Sequence, residues 1–260
     1  MPGPISGVNV INPLDEYLRR HRRAALLFSG GLDSSLLLAA AAQALGPGLT
    51  AITFTGPHTV PGELAAAWAL ARRLGVRHVV RRFDPLILPE FRANRRERCY
   101  VCKRAIIQAA RRIMAAQGVT VLWDGTNRDD LAEERPGFRA IRELGVESPL
   151  LSAGLGKAAI RALSRDLELD YARSSQSCLA TRFPYDTELA GENLARVGQG
   201  EAWLRQRSFG RVRLRVQGDR VRLELSPEEW PAFLAPEVRG PFIAYLSALG
   251  FEQFSLDGTG

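Results

Sequence analysis

Apolar residues in the first half of the chain fall into short unbroken runs, separated by stretches whose apolar positions repeat on a helical period. Residues 24–28 (Ala-Ala-Leu-Leu-Phe) form one such run and predict a buried strand. It ends in Ser29-Gly30-Gly31-Leu32-Asp33-Ser34-Ser35. Residues 34–45 are rich in Ala and Leu and predict a helix, closed by Gly46-Pro47-Gly48. Residues 50–55 carry β-branched side chains and predict a second strand. A helix over 61–74 stops at Gly75, and a third strand follows over 76–83. A helix over 102–117 ends at Gly118, and a fourth strand covers 119–123. This alternation predicts an α/β fold, a parallel sheet with helices on both faces. In such sheets ligands bind beyond the C-terminal ends of the strands. The Gly-rich loop, Thr55-Gly56-Pro57 and Asp124-Gly125-Thr126-Asn127 each follow a predicted strand, so the three are expected to converge on one crevice.

After about Asp170 the rhythm changes. A helix is predicted over 189–206, then two alternating strands over 211–216 and 220–225, joined by the turn Gln217-Gly218-Asp219. A helix within 235–249 and a short strand over 252–256 complete a smaller α+β unit. The expected division is a nucleotide-binding domain over 1–172 and a substrate-binding and oligomerisation domain over 173–260. Neither repeats nor low-complexity segments interrupt either half.

Composition narrows the picture. The chain of 260 residues is 46% apolar and 24% charged, enough to bury a core without disulfide staples. No apolar run reaches the roughly 18 residues of a membrane helix. Residues 1–12 lack the charged region, apolar core and cleavage site of a signal peptide. The expected location is cytoplasmic, where thiols stay reduced. A net charge of +7 admits a polyanion or a small phosphorylated substrate, although pairs such as Arg72-Arg73 and Arg111-Arg112 also read as solvated helix faces.

The Ser29–Ser35 string carries the clearest chemistry. Its glycines let backbone approach a phosphate, and the amides that open the next helix point at the anion. Ser29, Ser34 and Ser35 add hydroxyl donors, and Asp33 suits a Mg²⁺ ion on the pyrophosphate. No Gly-Lys-Ser/Thr ending follows, so the loop is not a Walker A motif. It resembles the PP-loop of the ATP pyrophosphatases, which include NAD and GMP synthetases, argininosuccinate synthase and tRNA-thiolating enzymes. The resemblance implies that ATP loses pyrophosphate, that AMP is placed on a carboxyl or carbonyl oxygen, and that a nitrogen or sulfur nucleophile then attacks. It implies nucleotide contacts at Ser29, Gly30, Gly31, Asp33, Ser34, Ser35, Thr55, Gly125, Thr126 and Asn127, with Asp33 acting catalytically through the metal. Asp129 and Asp130 could hold metal, or sit at a solvated helix N-terminus.

Cys99, Cys102 and Cys178 are the only cysteines. Arg and Lys flank the Cys-x-x-Cys, and nearby positive charge favours thiolates. Zinc would want a fourth ligand, whereas three thiolates suit a 4Fe-4S cluster with one open iron. Together with the PP-loop, several strings resemble the LarE family of ATP-dependent sulfur transferases of nickel-pincer cofactor biosynthesis. They are Arg98-Cys99-Tyr100-Val101-Cys102-Lys103, Asp124-Gly125-Thr126-Asn127 with Asp129-Asp130, Arg135-Pro136-Gly137, Ser148-Pro149-Leu150 and Cys178-Leu179-Ala180-Thr181-Arg182. The resemblance runs from about residue 14 to residue 256. It implies that a carboxylate of pyridinium-3,5-biscarboxylic acid mononucleotide becomes a thiocarboxylate. Sulfur would come sacrificially from Cys178 or from a 4Fe-4S cluster on Cys99, Cys102 and Cys178; cysteines at all three positions favour the cluster.

The same resemblance implies that Arg213 and Arg215, alternating on one strand face, hold the substrate phosphate. Arg182 is expected to stabilise the thiolate or the acyl-adenylate, and Glu201 and Glu224 to bind metal or substrate. A homo-oligomer is also implied. One departure lies at the end, where Gly258-Thr259-Gly260 stands in place of the family's Gly-Tyr-Arg-x-Gly-Ser-type tail. Three other readings remain. A tRNA-thiolating enzyme would need an RNA-binding appendage, for which the second unit leaves little chain; an NAD synthetase-like ligase gives the cysteines no role; a nucleotide sensor would not need Ser29, Asp33 and Ser34.

Overall fold

Four short strands alternate their side chains between two apolar faces, and that alternation organises the first half of the molecule. β1 (Ala24–Leu27), β2 (Leu49–Thr55), β3 (Arg77–Arg82) and β4 (Leu122–Trp123) form a sheet in the order β3-β2-β1-β4, every pair parallel. The structure, a computed structural model, describes residues 12–132, 136–169, 176–218 and 220–256. α1 (Asn12–Arg19) precedes β1, α2 (Leu32–Leu45) follows it, and α3 (Glu63–Arg73) links β2 to β3. α4 (Pro89–Arg92) and α5 (Arg98–Ala115) lead to β4, followed by α6 (Pro136–Glu143), α7 (Pro149–Ser152) and α8 (Lys157–Asp166). Ala24 and Leu26 share one core with Leu14 and Leu18 of α1, Leu37 of α2 and Ile160 of α8. Ala25 and Ile52 share another with Ile107 and Ala110 of α5 and with Ala140 and Ile141 of α6. Helices therefore cover both faces, as the alternating runs predict.

The boundaries differ from the predicted ones for local reasons. α3 begins at Glu63 because Gly62 adopts φ +91, a left-handed turn that glycine tolerates. α5 begins four residues early: Arg98 N bonds Arg95 O at 2.9 Å and Val101 N bonds Glu97 O at 3.1 Å, so the turn runs into the helix. Cys99 and Cys102 thus lie one turn apart on α5. β4 is reduced to two residues, because the Val119 amide is still tied to Met114 O of α5 at 3.1 Å. Beyond β4 the sheet continues only as a bridge from Trp123 to Glu147. Helices α1, α6, α7 and α8 are absent from the sequence reading.

α9 (Gly191–Arg205), β5 (Arg213–Gln217), β6 (Arg220–Glu224), α10 (Trp230–Leu234), α11 (Pro236–Ala248) and β7 (Gln253–Leu256) build the second unit. Its sheet runs β5-β6-β7, with β5 antiparallel to β6 and β7 parallel to it. Leu214, Val216, Val221 and Leu223 turn to the core. Arg213, Arg215, Gln217, Arg220, Arg222 and Glu224 occupy the other face, by the two-residue period of the strands. The core of this unit also takes in Val60, Phe91 and Cys102 from the first half. The expected 172/173 boundary, Arg135, Asp219 and the tail 257–260 lie outside the described residues. No helix among the described residues is long and apolar enough to cross a membrane.

Phe233 is fully buried, with Phe209, Trp230 and Phe242 edge-on to its ring at 5.8 to 6.4 Å. Phe233→Ala leaves a cavity and is expected to cost about 3–5 kcal/mol. Urea denaturation followed by tryptophan fluorescence reads that loss.

Candidate active site

The phosphate loop leaves β1 at Phe28 and turns at Gly30, whose φ of +80 is glycine's preserve. A Cβ there would lie 3.0 Å from the Ala67 Cβ and 3.1 Å from the Glu63 carbonyl, so α3 packs directly against the turn. No side chain caps α2. Instead Ser34 Oγ donates to Gly31 O at 3.0 Å and lies 3.1 Å from Ser29 Oγ, while the Gly31 amide donates to Ser29 Oγ at 3.3 Å. The hydroxyls hold the loop open at the helix N-terminus, where its amides favour an anion.

The loop after β4 closes on this turn. A Cβ on Gly125 would stand 3.0 Å from the Ser34 amide nitrogen, so glycine lets the two loops approach this closely without displacing backbone. Asp124 accepts from Thr126 Oγ1 at 2.8 Å and Ser148 Oγ at 2.7 Å, which fixes the loop and engages the Thr126 hydroxyl. Asn127 Nδ2 donates to Asp33 Oδ2 at 3.1 Å. Burial raises the Asp33 carboxyl above its ordinary range, Asp130 raises it further, and the Asn127 bond, Lys157 and Arg161 offset part of the rise. Two acids held beside a phosphate loop suit a divalent cation. Asp129 takes a different job, accepting from the Lys157 amide at 2.7 Å at the start of α8. Thr55 lies 3.3 Å from Thr59 Oγ1 in the loop after β2. The three strand-end loops do gather at one end of the sheet.

The cysteines meet beside them. Cys178 precedes a single 3-10 turn over Leu179–Arg182, and the Leu179 amide donates to the His58 carbonyl at 2.9 Å, which ties the cysteine loop to the loop after β2. Cys99 is exposed, Cys102 buried and Cys178 between them. Cys178 and Cys99 both act on the Cys102 thiol, and Cys99 acts on that of Cys178. Burial pushes Cys102 up to about 12 and Cys178 up to about 11. For Cys178 a backbone hydrogen bond from Ala180 and the cations Arg98 and Arg182 offset part of that rise. Among the described residues no three His, Cys, Asp or Glu side chains gather closely enough to hold a metal ion. The thiols are neighbours, not a preformed chelate.

Arg182 and Glu201 are both buried and face each other. Arg182 Nε donates to Glu201 Oε1 at 2.6 Å and Nη2 to Oε2 at 3.1 Å. Glu201 also accepts from the Leu214 amide and from Arg205 Nη1, both at 3.0 Å. Its oxygens are committed to protein donors, so Glu201 anchors Arg182 where the sequence suggests metal or substrate. Arg182 Nη1 in turn holds Ser177 Oγ at 2.6 Å and Thr181 Oγ1 at 2.8 Å. Arg182 therefore shapes the Cys178 loop from beneath, with its own charge already balanced.

The cationic sheet face lies alongside. Arg215 donates to Glu224 Oε1 at 2.9 Å and to Thr181 O at 2.6 Å, binding β5 to the Cys178 turn and engaging Glu224. The Arg213 side chain makes no hydrogen bond or ion pair with the described residues; burial first, then Arg182, Arg211 and Arg215, lower its guanidinium, and Glu224 offsets part of the fall. A cavity of about 500 Å³ opens on this face, lined by Thr181, Arg215, Arg220, Arg222 and Glu224 among others. A second, of about 420 Å³, lies beside Gly30, Ser35 and α3.

Asn94 is a residue that the sequence gives no reason to single out. It is fully buried at φ +52, and its Nδ2 donates to Pro184 O at 2.6 Å and Phe183 O at 3.3 Å. It stitches the segment after Cys178 to the start of α5, helped by the Arg95–Asp186 pair at 2.7 Å. Asparagine's tolerance of left-handed backbone is its only signal.

A sequence profile of the asparagine synthase family matches residues 14–142, the sheet and its phosphate loop. The chain is 32% identical over 250 residues to the pyridinium-3,5-bisthiocarboxylic acid mononucleotide synthase of Lactiplantibacillus plantarum, across 92% of this chain and 87% of that protein. It belongs to that synthase family, LarE. It is also 35% identical over 239 residues to an uncharacterized protein of Synechocystis sp., across 92% and 89% of the two chains. A third relative, an uncharacterized protein of Methanocaldococcus jannaschii, is 30% identical over 199 residues, across 75% of each chain. The LarE resemblance read from the sequence strings thus extends over most of the molecule, and the chain is an enzyme of the ATP-pyrophosphatase sulfur-transferase type.

Two outcomes follow from the site's electrostatics. Glu201→Gln leaves Arg182 buried without its counter-charge and is expected to cost about 3–5 kcal/mol, measured by chemical denaturation. The raised Cys178 thiol is protonated at neutral pH, so in metal-free protein its alkylation by iodoacetamide is expected to accelerate by about tenfold per pH unit between about pH 8 and 10. Mass spectrometry of the tryptic peptide reads the rate.

Proposed function

We propose that this LarE-family enzyme uses ATP to adenylate a carboxylate of pyridinium-3,5-biscarboxylic acid mononucleotide and replaces the activated oxygen with sulfur, for nickel-pincer cofactor synthesis. The observation that carries the reading is the junction of the phosphate-loop end of the sheet with the cysteine loop, through the Leu179–His58 backbone bond at 2.9 Å. The product named for the L. plantarum relative supports the substrate.

Ser29, Gly30, Gly31, Ser34 and Ser35 cradle the pyrophosphate, and Thr55, Gly125, Thr126 and Asn127 close over the nucleotide. Asp33 fits a Mg²⁺ ion, since burial and Asp130 make its negative charge costly without a cation. Arg213, whose side chain makes no ion pair with the described residues, and Arg215 beside it receive the mononucleotide's phosphate. A carboxylate oxygen attacks the α-phosphorus, the bond to the β-phosphate oxygen breaks, and pyrophosphate leaves. Sulfur then attacks the carboxyl carbon; a C–S bond forms, the C–O bond to AMP breaks, and AMP leaves with the oxygen.

The mutual influence of the chain's only three cysteines supports a shared sulfur centre. The donor set of three soft thiols, with the cations Arg98, Lys103 and Arg182 nearby, fits a 4Fe-4S cluster in chemistry, although the side chains would still have to draw together. When bound, such a cluster would supply a transferable sulfide at an iron that carries no protein ligand. Cys99, Cys102 and Cys178 would hold it, and Arg182 keeps the Cys178 loop in place. In the sacrificial alternative, Sγ of Cys178 attacks the acyl-adenylate. Loss of its Cα proton then breaks the Cβ–Sγ bond and leaves dehydroalanine.

Anaerobic reconstitution followed by turnover tests the reading. The substrate mononucleotide and ATP·Mg²⁺ are expected to yield AMP, pyrophosphate and thiocarboxylate, with about four irons per chain. Cys178→Ala is expected to abolish thiocarboxylate formation under either sulfur source. An iron-free active protein whose Cys178 loses the mass of H₂S selects the sacrificial route. Full thiolation by Cys178→Ala overturns both.

A further inference from the structure

Four arginines stand on the polar face of the second sheet, and the reaction above uses two of them. Arg213 and Arg215 of β5 serve the phosphate; Arg220 and Arg222 of β6 have no task. Yet Arg220 and Arg222 line the cavity of about 500 Å³ on this face, together with Arg215 and Ser255. The strand register sets Arg215, Arg222 and Ser255 side by side in one row across β5, β6 and β7. Gln217, Arg220 and Gln253 form the next row.

Like charges directly opposite each other across a strand pair destabilise a sheet. Arg215 and Arg222 are such a pair, and both reach one oxygen: Glu224 Oε1 accepts from Arg215 Nε at 2.9 Å and from Arg222 Nη2 at 3.4 Å. Arg220 donates from Nε and Nη2 to Gln253 Oε1 at 3.1 and 3.0 Å. That neutral amide fixes the direction of the guanidinium and leaves its charge in place. Arg213 and Arg220 stand two rows apart, roughly 13 Å along the strands at the backbone, a span that suits two anionic groups better than one.

The mononucleotide of the proposed reaction carries a second anionic group besides its phosphate. One ring carboxylate is activated, and the other keeps its negative charge. The two are meta to each other on the ring, so when one faces the Cys178 turn the other diverges from it. Thr181, Phe183 and Pro184 of that turn line the same cavity as Arg220 and Arg222. We propose that Arg222 and Arg220 hold the ring carboxylate that is not reacting, with Ser255 Oγ as a further donor, and so select a pyridinium ring with two carboxylates over a ring with one. A guanidinium suits a carboxylate because two parallel N–H groups meet its two oxygens. The proposal rests on the substrate reading above and adds to it the residues that recognise the second carboxylate.

The test measures, with full-length protein and no ATP, the binding of pyridinium-3,5-biscarboxylic acid mononucleotide and of nicotinic acid mononucleotide, which has one ring carboxylate. Calorimetry on the wild type, Arg220→Gln, Arg222→Gln and the double variant gives the affinity ratio of the two. Wild type is expected to prefer the biscarboxylate by about tenfold or more. The double variant is expected to lose most of that preference while its affinity for nicotinic acid mononucleotide stays within about twofold. Arg213→Gln, which touches only the phosphate, is expected to weaken both ligands alike and keep the ratio. Equal binding of the two ligands by wild type, or an unchanged ratio in the double variant, overturns the proposal. If the double variant does not fold, unchanged ratios in both single variants overturn it. A preference that the double variant loses, in a protein that forms no thiocarboxylate with ATP, defeats the functional reading alone. Wild type that binds neither mononucleotide defeats both.

Discussion

The arrangement of the active site depends on the buried ion pair between Arg182 and Glu201. Glu201 on α9 gathers Arg182, Arg205 and the Leu214 amide of β5, so one carboxylate ties together a helix, a strand and the Cys178 turn. Arg182 passes the constraint on to Ser177 and Thr181, on either side of Cys178. Such a pair repays its desolvation only through good geometry and further hydrogen bonds, and here both partners are saturated. Its value is positional. It fixes where one cysteine sits relative to two others some eighty residues earlier in the chain, and Arg215, bonded to Thr181 O, extends the same frame to the cationic sheet face.

Much of this molecule is legible in its sequence, for identifiable reasons. The parallel sheet can be read because β1 is an unbroken apolar run, β2 is rich in β-branched residues, and glycines follow each, a pattern that suits strands buried on both faces. The β5–β6 pair can be read because one face is wet, so apolar and polar residues alternate strictly. The helices that escape notice, α1 and α8 among them, are short. Each offers the core only a pair such as Leu14 and Leu18, or Ile160 and Leu163, among charged residues. The phosphate loop is legible because its chemistry is local: seven consecutive residues supply glycine freedom, hydroxyls and a helix start.

The sulfur centre is legible only in composition. The sequence singles out the cysteines and Arg182, but not which acids the fold pairs with which cations. Arg182 and Arg98 look alike as basic residues near cysteines. Burial beside Glu201 makes Arg182 a structural strut, whereas Arg98 is buried against the ring of Tyr185 with its Nε and Nη1 unpartnered. Likewise Glu201 and Glu224 read as a pair of acids, and only the fold shows that Arg182 and Arg215 engage them. Pairing between distant residues is the information that a linear string carries least.

The same asymmetry explains how one small α/β scaffold can accommodate two reactions that want opposite surroundings. Activating a carboxylate with ATP calls for a wet, anion-binding end of a sheet, where amides and a metal meet phosphate charge. Delivering sulfur calls for a drier place, where a thiol stays protonated until a partner draws out its negative charge. On the function proposed above, the first belongs at the ends of β1, β2 and β4, and the second beside it, against the core of the C-terminal unit. The backbone hydrogen bond from Leu179 to His58 is among the links that join them. That bond needs no side chain from either residue, so the junction can persist while the side chains around it vary. His58 itself is buried among Phe83 and Phe91, and desolvation holds its imidazole down to about 4, hence neutral.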